Sequence, residues 1–238
     1  MGVNRLSIGV QSFNDDLLKM LGRAHSSEGA LKAIEVARKR FENISIDLMC
    51  GIPGQSENVF EESLRKAIEL NVPHISVYPL QIEPNTVFYK WKAQGKIDDI
   101  NEDDQADQML LAAQLLTEAG YEHYEVSSYA KPGYESKHNL SYWQSKPYLG
   151  IGESATTMTQ CADRRARVTD GHVDDELSER QLLAEDCVLA LRTKSGISKE
   201  LAKKVRATLK DFDKVAQESI ELGLLKQTKD GYAPTEQG

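Results

Sequence analysis

A regular alternation of strand-like and helix-like periodicity between Leu6 and Val77 restricts the fold of this chain more than any other feature of its sequence. Leu6, Ile8 and Val10 alternate with Ser7, Gly9 and Gln11, the period of two that a pleated strand imposes on its side chains. Ala30, Ile34, Ala37 and Phe41 then recur at helical spacing behind Ser26 and Ser27, either of which can cap a helix. The cycle repeats. Ile44, Ile46 and Leu48 alternate with Ser45 and Asp47, Gly51-Ile52-Pro53-Gly54 interrupts the chain, and Phe60, Leu64, Ala67 and Ile68 mark a second amphipathic helix. Ile75 and Val77 open a third strand. Strands joined through a single helix run parallel with right-handed crossovers, so residues 5–80 are expected to form a βαβαβ unit of a barrel or a doubly wound sheet.

The polar half of this alternation bears on function. A parallel strand covered on both faces reads as continuous Val, Ile and Leu. Here one face carries Ser7, Gly9 and Gln11, then Ser45 and Asp47, then Ser76 and Tyr78. With the apolar faces under the helices, the polar faces line the inside of a barrel as a ligand cavity. Gln11 and Asp47 then stand near the carboxyl ends of their strands, where α/β sites lie. A solvated or edge face is the alternative.

Beyond residue 80 the pattern changes. Leu80 to Asp99, with Pro84 and Gly95, reads as a connection. Glu102 to Ala119 reads as a long helix with Met109, Leu110, Ala113 and Leu116 inward and Gly120 at its end, and Tyr121 to Val126 as a strand. Tyr129, Tyr134, His138, Tyr142, Trp143 and Tyr148 crowd into residues 129–148, either as packing over the barrel end or as the wall of a site for a flat, apolar ligand. A compositional shift at 170–178 places a boundary between residues 1–172 and 173–238. The second part reads as a helix over 179–191, a short helix after Ser198, a third helix from Asp213 to Leu222 and a turn at Asp230-Gly231, a winged-helix-like set. Residues 194–230 hold nine Lys or Arg against six Asp or Glu, which is slight support for nucleic acid and fits a structural or interaction module better.

Composition excludes several classes. Hydrophobic residues are 40% and charged residues 28%, with Gly and Pro together only 23 of 238, so the chain is neither disordered nor fibrous. A net charge of −8 argues against general affinity for phosphate backbones. No apolar run approaches the ~20 residues of a membrane span, and the first residues have no signal-peptide pattern. Cys50, Cys161 and Cys187 are odd in number and widely spaced, as reduced thiols are, and a cytoplasmic setting is expected. No Cys-x-x-Cys offers a local zinc or iron–sulfur site.

Asn4 to Phe13, Leu21-Gly22-Arg23, Asp47-Leu48 with Gly51-Ile52-Pro53-Gly54-Gln55, and His138-Asn139 with Tyr142-Trp143 together resemble the oxygen-independent coproporphyrinogen III oxidase family of radical SAM proteins, in order and spacing over nearly the whole chain. The His-Asn-x-x-Tyr-Trp stretch is similar to the family's heme-chaperone branch. The resemblance implies an α/β fold, the second half of a radical SAM partial (β/α)6 barrel followed by the C-terminal winged-helix-like domain. The family's Cys-x-x-x-Cys-x-x-Cys loop does not occur here, so a fragment is expected, inactive by itself in radical chemistry. Glu153 stands where the chaperone branch has a small residue, and Thr156-Thr157 where it has His-Ser.

The cofactors implied are S-adenosylmethionine, a [4Fe–4S] cluster with ligands outside this chain, and heme. S-adenosylmethionine contacts would fall on Gln11, Arg23, Asp47 and Gln81. A guanidinium suits the carboxylate of the amino-acid end, and carboxylate or amide acceptors suit ammonium and ribose hydroxyls. An Arg23–Asp47 ion pair closing the barrel is the structural alternative. His138 would ligate heme iron, with Asn139 orienting its loop through side-chain to backbone hydrogen bonds. The activity implied is either oxidative decarboxylation of porphyrinogen propionates or heme binding with delivery to an acceptor protein. Outside the family stands a phosphosugar-binding α/β barrel, for which Gly51 to Gly54 is a weak phosphate loop because Pro53 lacks an amide donor.

Overall fold

The computed structural model describes residues 2–235, divided into two compact units between Glu135 and Ser136. The first unit runs β1 (Arg5–Gln11), α1 (Asp15–Met20), α2 (Ser27–Arg38), β2 (Asn43–Cys50), α3 (Glu57–Glu69), β3 (His74–Pro79), α4 (Val87–Ala93), α5 (Glu102–Glu118), β4 (Glu122–Glu125) and β5 (Ser128–Ala130). Each helix starts where a short polar side chain takes over orphan amides: Asn14, Ser26, Ser56, Thr86 and Asn101 all accept backbone N–H bonds at their N-caps. The five strands form one sheet in the order β1-β2-β3-β5-β4. The first three are parallel, as expected from the crossovers. β5 pairs antiparallel with both β3 and β4, so the far edge is a hairpin and not another βα unit.

Burial explains the alternation. Val10, Ile44, Ile46, Leu48, Ile75 and Val77 pack with Ile34, Phe60, Leu64 and Leu116 of the helices into one fully buried core. At ~25 cal/mol per Å² of apolar surface, each such side chain contributes roughly 1.5–3 kcal/mol. The opposite face keeps the polar residues. Two expectations change. The stretch read as a connection contains α4, which Thr86 caps, and Leu110 of α5 is exposed while Gln108, Ala112 and Leu116 face inward.

The second unit comprises α6 (Lys137–Trp143), the antiparallel meander β6 (Thr156–Gln160), β7 (Arg165–Thr169) and β8 (His172–Leu177), then α7 (Glu179–Leu191), β9 (Ile197–Ser198), α8 (Lys199–Thr208), α9 (Phe212–Glu221), β10 (Leu225–Thr228) and β11 (Gly231–Pro234). The last three strands form a sheet in the order β10-β11-β9, which with α7, α8 and α9 gives the expected winged-helix arrangement. Ile197, Ala202, Ala216 and Tyr232 are its buried centre. Gly196 closes against β11: its φ is +64° and a Cβ would lie 2.0 Å from the Tyr232 carbonyl, so only glycine fits. The packing division lies at 135/136. A boundary at 172/173 falls at the first residue of β8, whose ladder with β7 ties the two sides together.

Candidate functional site

Five strands of the first unit place one residue each in a single transverse row. Gly9 pairs with Asp47, Asp47 with Ser76, Ser76 with Ser128, and Ser128 with Glu125. Partners in register share a face, so this row and its neighbours form a continuous polar face of the sheet, with Ser76, Ser128 and Glu125 buried in it. Ser7 Oγ donates to Asp47 at 3.1 and 3.2 Å, and the Ser76 and Ser128 hydroxyls lie 3.1 Å apart. Burial raises the Asp47 carboxyl above its usual range, against the pull of the Ser7 hydroxyl, the Arg5 charge and Ser76. An adjacent row is buried. Ser45 Oγ stands 2.7 Å from His74 Nδ1, and His74 Nε2 lies 2.8 Å from the Tyr124 hydroxyl, linking β2, β3 and β4.

Gln11 joins this surface through a backbone irregularity. The register between β1 and β2 shifts between Gly9 and Gln11, where Gln11 adopts φ +67°. Its side chain folds back over Gly9, so that a Cβ there would lie 2.8 Å from Gln11 Nε2. Gln11 and Asp47 therefore share a face. Arg23 is exposed just after α1, with its backbone N–H bonded to Leu18 O at 2.9 Å, and Gln81 is exposed two residues beyond β3. The Arg23–Asp47 ion pair is not formed: Asp47 has Ser7 and Arg5 beside it.

The Gly51 loop is closed on itself. Gly51 N–H donates to Gln108 Oε1 at 2.8 Å, Ile52 N–H to Gln55 Oε1 at 3.2 Å, and Gln55 N–H to Ile52 O at 2.8 Å. A phosphate loop must present its amides to the ligand, and these are taken, which removes the main support for a phosphosugar barrel.

In the second unit, Tyr142, Trp143, Tyr148, Met158, Asn139 and Arg165 line a cleft of about 350 Å³. Its base is an ion network. Arg165, fully buried, donates to Asp186 at 2.6 Å, to Gln160 at 2.8 Å and to Glu185, and Arg167 bonds Glu185 at 2.6 Å and Asp175 at 2.7 Å. Burial alone would lower the Arg167 pKa, but the bonds to Glu185 and Asp175 outweigh it and hold the guanidinium charged. Two arginines facing three carboxylates leave no surplus positive charge.

His138 stands exposed on α6, one turn ahead of Tyr142. The rings form an edge-on series: His138 to Tyr142 at 5.0 Å, then Tyr142 to Tyr148 at 4.9 Å. The segment is a helix and not a loop, and Ser136, not Asn139, orients it by accepting from the Asn139 N–H. The Asn139 side chain faces the cleft. Trp143 carries the Arg192 guanidinium 4.5 Å from its ring centre, while its Nε1 is buried without a partner among the described residues.

The thiols do not converge. Cys50 ends β2 inside the core, where burial pushes it up to about 12, Cys161 is exposed after β6, and Cys187 lies half-buried on α7. Among the described residues no group of three His, Cys, Asp or Glu could hold a metal ion, so these residues do not fit an iron–sulfur cluster. The hydroxyl, amide and carboxylate set around Asp47 does fit a nucleoside with a charged amino-acid end. No helix of the described residues is long and apolar enough to cross a membrane.

Residues 1–67 match the Radical SAM superfamily. The heme chaperone HemW of Bacillus subtilis (strain 168) is 36% identical over 256 aligned positions that cover all of this chain and 67% of that protein. The chain belongs to the HemN/HemW-like radical SAM family. S-adenosylmethionine and a [4Fe–4S] cluster are that family's general cofactors. The heme chaperone HemW of Escherichia coli (strain K12) is 49% identical over 154 positions, 63% of this chain and 39% of that protein. The solved structure of coproporphyrinogen III oxidase (HemN) from Escherichia coli, a radical SAM enzyme, matches the fold over the whole chain and 62% of its own, with a TM-score of 0.71 at 22% identity. The chain thus spans from about two-fifths to two-thirds of the length of the relatives it matches.

Sequence reasoning had singled out Gln11, Asp47 and His138 but passed over His74, Tyr124, Glu125 and the Arg165 network. The alternation His74-x-Ser76-x-Tyr78 and the pair Arg165-x-Arg167 were the local signals for part of them.

Proposed function

We propose that this protein is a cytoplasmic heme-binding member of its family that passes heme to an acceptor protein, with His138 as the ligand to heme iron. The observation that carries this reading is the series of rings from the exposed His138 imidazole through Tyr142 to Tyr148 at the aromatic cleft. Neutral imidazole is a standard axial ligand, and the cleft is large enough for one edge of a macrocycle while the other stays at the surface, which suits cargo that must leave again. Arg165 and Arg167 at the base are taken up by Glu185, Asp186 and Asp175, so neither is free to receive the propionates of a porphyrinogen. On the first unit, Asp47 and Gln11 would take ribose or amine groups of S-adenosylmethionine, Arg23 its carboxylate, and Gln81 would contribute at the strand end.

Heme titration of the protein and of His138→Ala tests the reading, with coproporphyrinogen III decarboxylation assayed in parallel. Loss of affinity by at least tenfold with a shifted Soret band is expected for the variant. An unchanged band and affinity would remove His138 from the site, and turnover of coproporphyrinogen would favour the oxidase.

A further inference from the structure

Arg192 closes α7 as its C-cap and lies over Trp143 of α6, its guanidinium carbon 4.5 Å from the ring centre. The negative end of the α7 dipole favours a cation at this position. Among the described residues, however, no carboxylate pairs with this guanidinium and no acceptor reaches its side chain. Its Nε is shut off from water without a partner, and so is Trp143 Nε1 beside it. The two Nη groups of the half-buried side chain are not enclosed, and they too carry no bond. Donors and a positive charge without an acceptor are costly, and the cost is relieved when an anion supplies one. The nearby arginines are in the opposite state: Arg165 bonds Glu185 and Asp186, and Arg167 bonds Glu185 and Asp175.

The position of Arg192 relates it to the aromatic cleft. Trp143 and Leu189 both line that cleft, and Leu189 stands three residues ahead of Arg192, on the same side of α7. Arg192 therefore sits at the end of the cleft, on the wall that Trp143 makes. On α6, His138 and Trp143 are five residues apart, about 7.5 Å of helix rise. A porphyrin holds its metal at the centre and its carboxylates at the rim, a span of the same order. The carboxylates at the base of the cleft are neutralised by Arg165 and Arg167, so the unpaired positive charge beside the rings is the one on Arg192.

We propose that Arg192, laid on Trp143, is the anchor for one carboxylate of the ligand in this cleft, a propionate at the rim of heme. This rests on the reading of the cleft as the heme site. A guanidinium presents its two Nη groups as a planar fork that matches a carboxylate, with charge on both partners. Trp143 holds the plane of that fork through the cation–π contact, so little freedom is lost when a carboxylate fills it. No residue of the Arg165 network has to give up a partner. One anchor serves one propionate and leaves the other at the surface, which fixes the orientation of the ring without enclosing it.

The test titrates two ligands, heme and heme dimethyl ester, which keeps the iron and the ring but has no free carboxylate, both delivered from the same detergent micelles and followed by the Soret band. Wild type is expected to bind heme at least tenfold more tightly than the diester. Arg192→Gln should lose that preference while its affinity for the diester and the position of its Soret band stay those of wild type, because the iron ligand is untouched. Arg192→Lys, which keeps the charge but not the fork, should retain part of the preference. Equal weakening of both ligands by Arg192→Gln would mark Arg192 as a residue that only supports Trp143, and an unchanged preference would show that the carboxylate binds elsewhere; either result refutes the anchor while the heme reading stands. Equal affinity of wild type for the two ligands refutes it as well. Failure of wild type to bind either ligand overturns both readings.

Discussion

Acidification from pH 6.5 to 4.5 is expected to remove about 2.3 kcal/mol of stability through His74 alone. The imidazole has no exposed surface and is held between Ser45 and Tyr124 at 2.7 and 2.8 Å. Burial, with a contribution from the Arg5 charge, lowers it to about 3 from an ordinary 6.5. Between those two values the unfolded chain holds one proton more than the folded one, so stability is fully present above pH 6.5 and falls as pH falls, by about 1.4 kcal/mol per pH unit, until the folded value is reached. Asp47, raised by burial, works the other way: its contribution is present below 3.8 and lost as pH rises through its folded value. A subtraction separates the two. Urea unfolding of wild type and His74→Gln, whose amide can still donate and accept but does not titrate, gives two stability curves between pH 7 and 4.5. Asp47 cancels in the difference, and wild type should lose about 1.4 kcal/mol per unit more than the variant below pH 6. Parallel curves would refute the claim that His74 is held neutral by burial.

Three further outcomes follow from packing and thiol placement. Cys161, exposed, should alkylate within minutes at pH 8 in the native protein, while Cys50, pushed up to about 12 inside the core, should react only on unfolding; equal rates by peptide mass spectrometry would contradict its burial. Gly196→Ala places a Cβ 2.0 Å from the Tyr232 carbonyl at φ +64° and should destabilise the second unit by more than about 1 kcal/mol, which an unshifted urea midpoint would disprove. Iron and sulfide reconstitution of the 238-residue chain should leave no stable [4Fe–4S] absorbance, because its three cysteines stand on separate elements; a stoichiometric cluster spectrum would show that they converge.

Local periodicity made the first eighty residues legible. Each of β1, β2 and β3 buries one face against helices, so the pattern Leu6-x-Ile8-x-Val10 already carries the strand, its orientation and its polar side, and the capping serines mark the helix starts. The same logic put Gln11 and Asp47 on a shared face before any coordinate. It failed where burial is not periodic within one element. β5 is three residues long and wholly buried, and α4 buries none of its residues, so neither shows a period to read.

Side-chain partnerships lay further out of reach. The row from Asp47 to Glu125 joins residues 78 positions apart, and one irregular pair in β4 decides that Glu125 turns toward Ser128 and not away from it. A shift of one residue in a strand exchanges its two faces, and that shift is set by pairing across the sheet, not by the residues of the strand. Arg165 is the same case in the second unit, since an arginine in a sequence reads as surface until Gln160, Glu185 and Asp186 are brought around it. The sequence by itself therefore determined β1, β2, β3 and the helices between them and which of their faces are polar, because those follow from burial one element at a time. Only the tertiary structure decided which polar groups meet, because that depends on register between strands far apart in the chain.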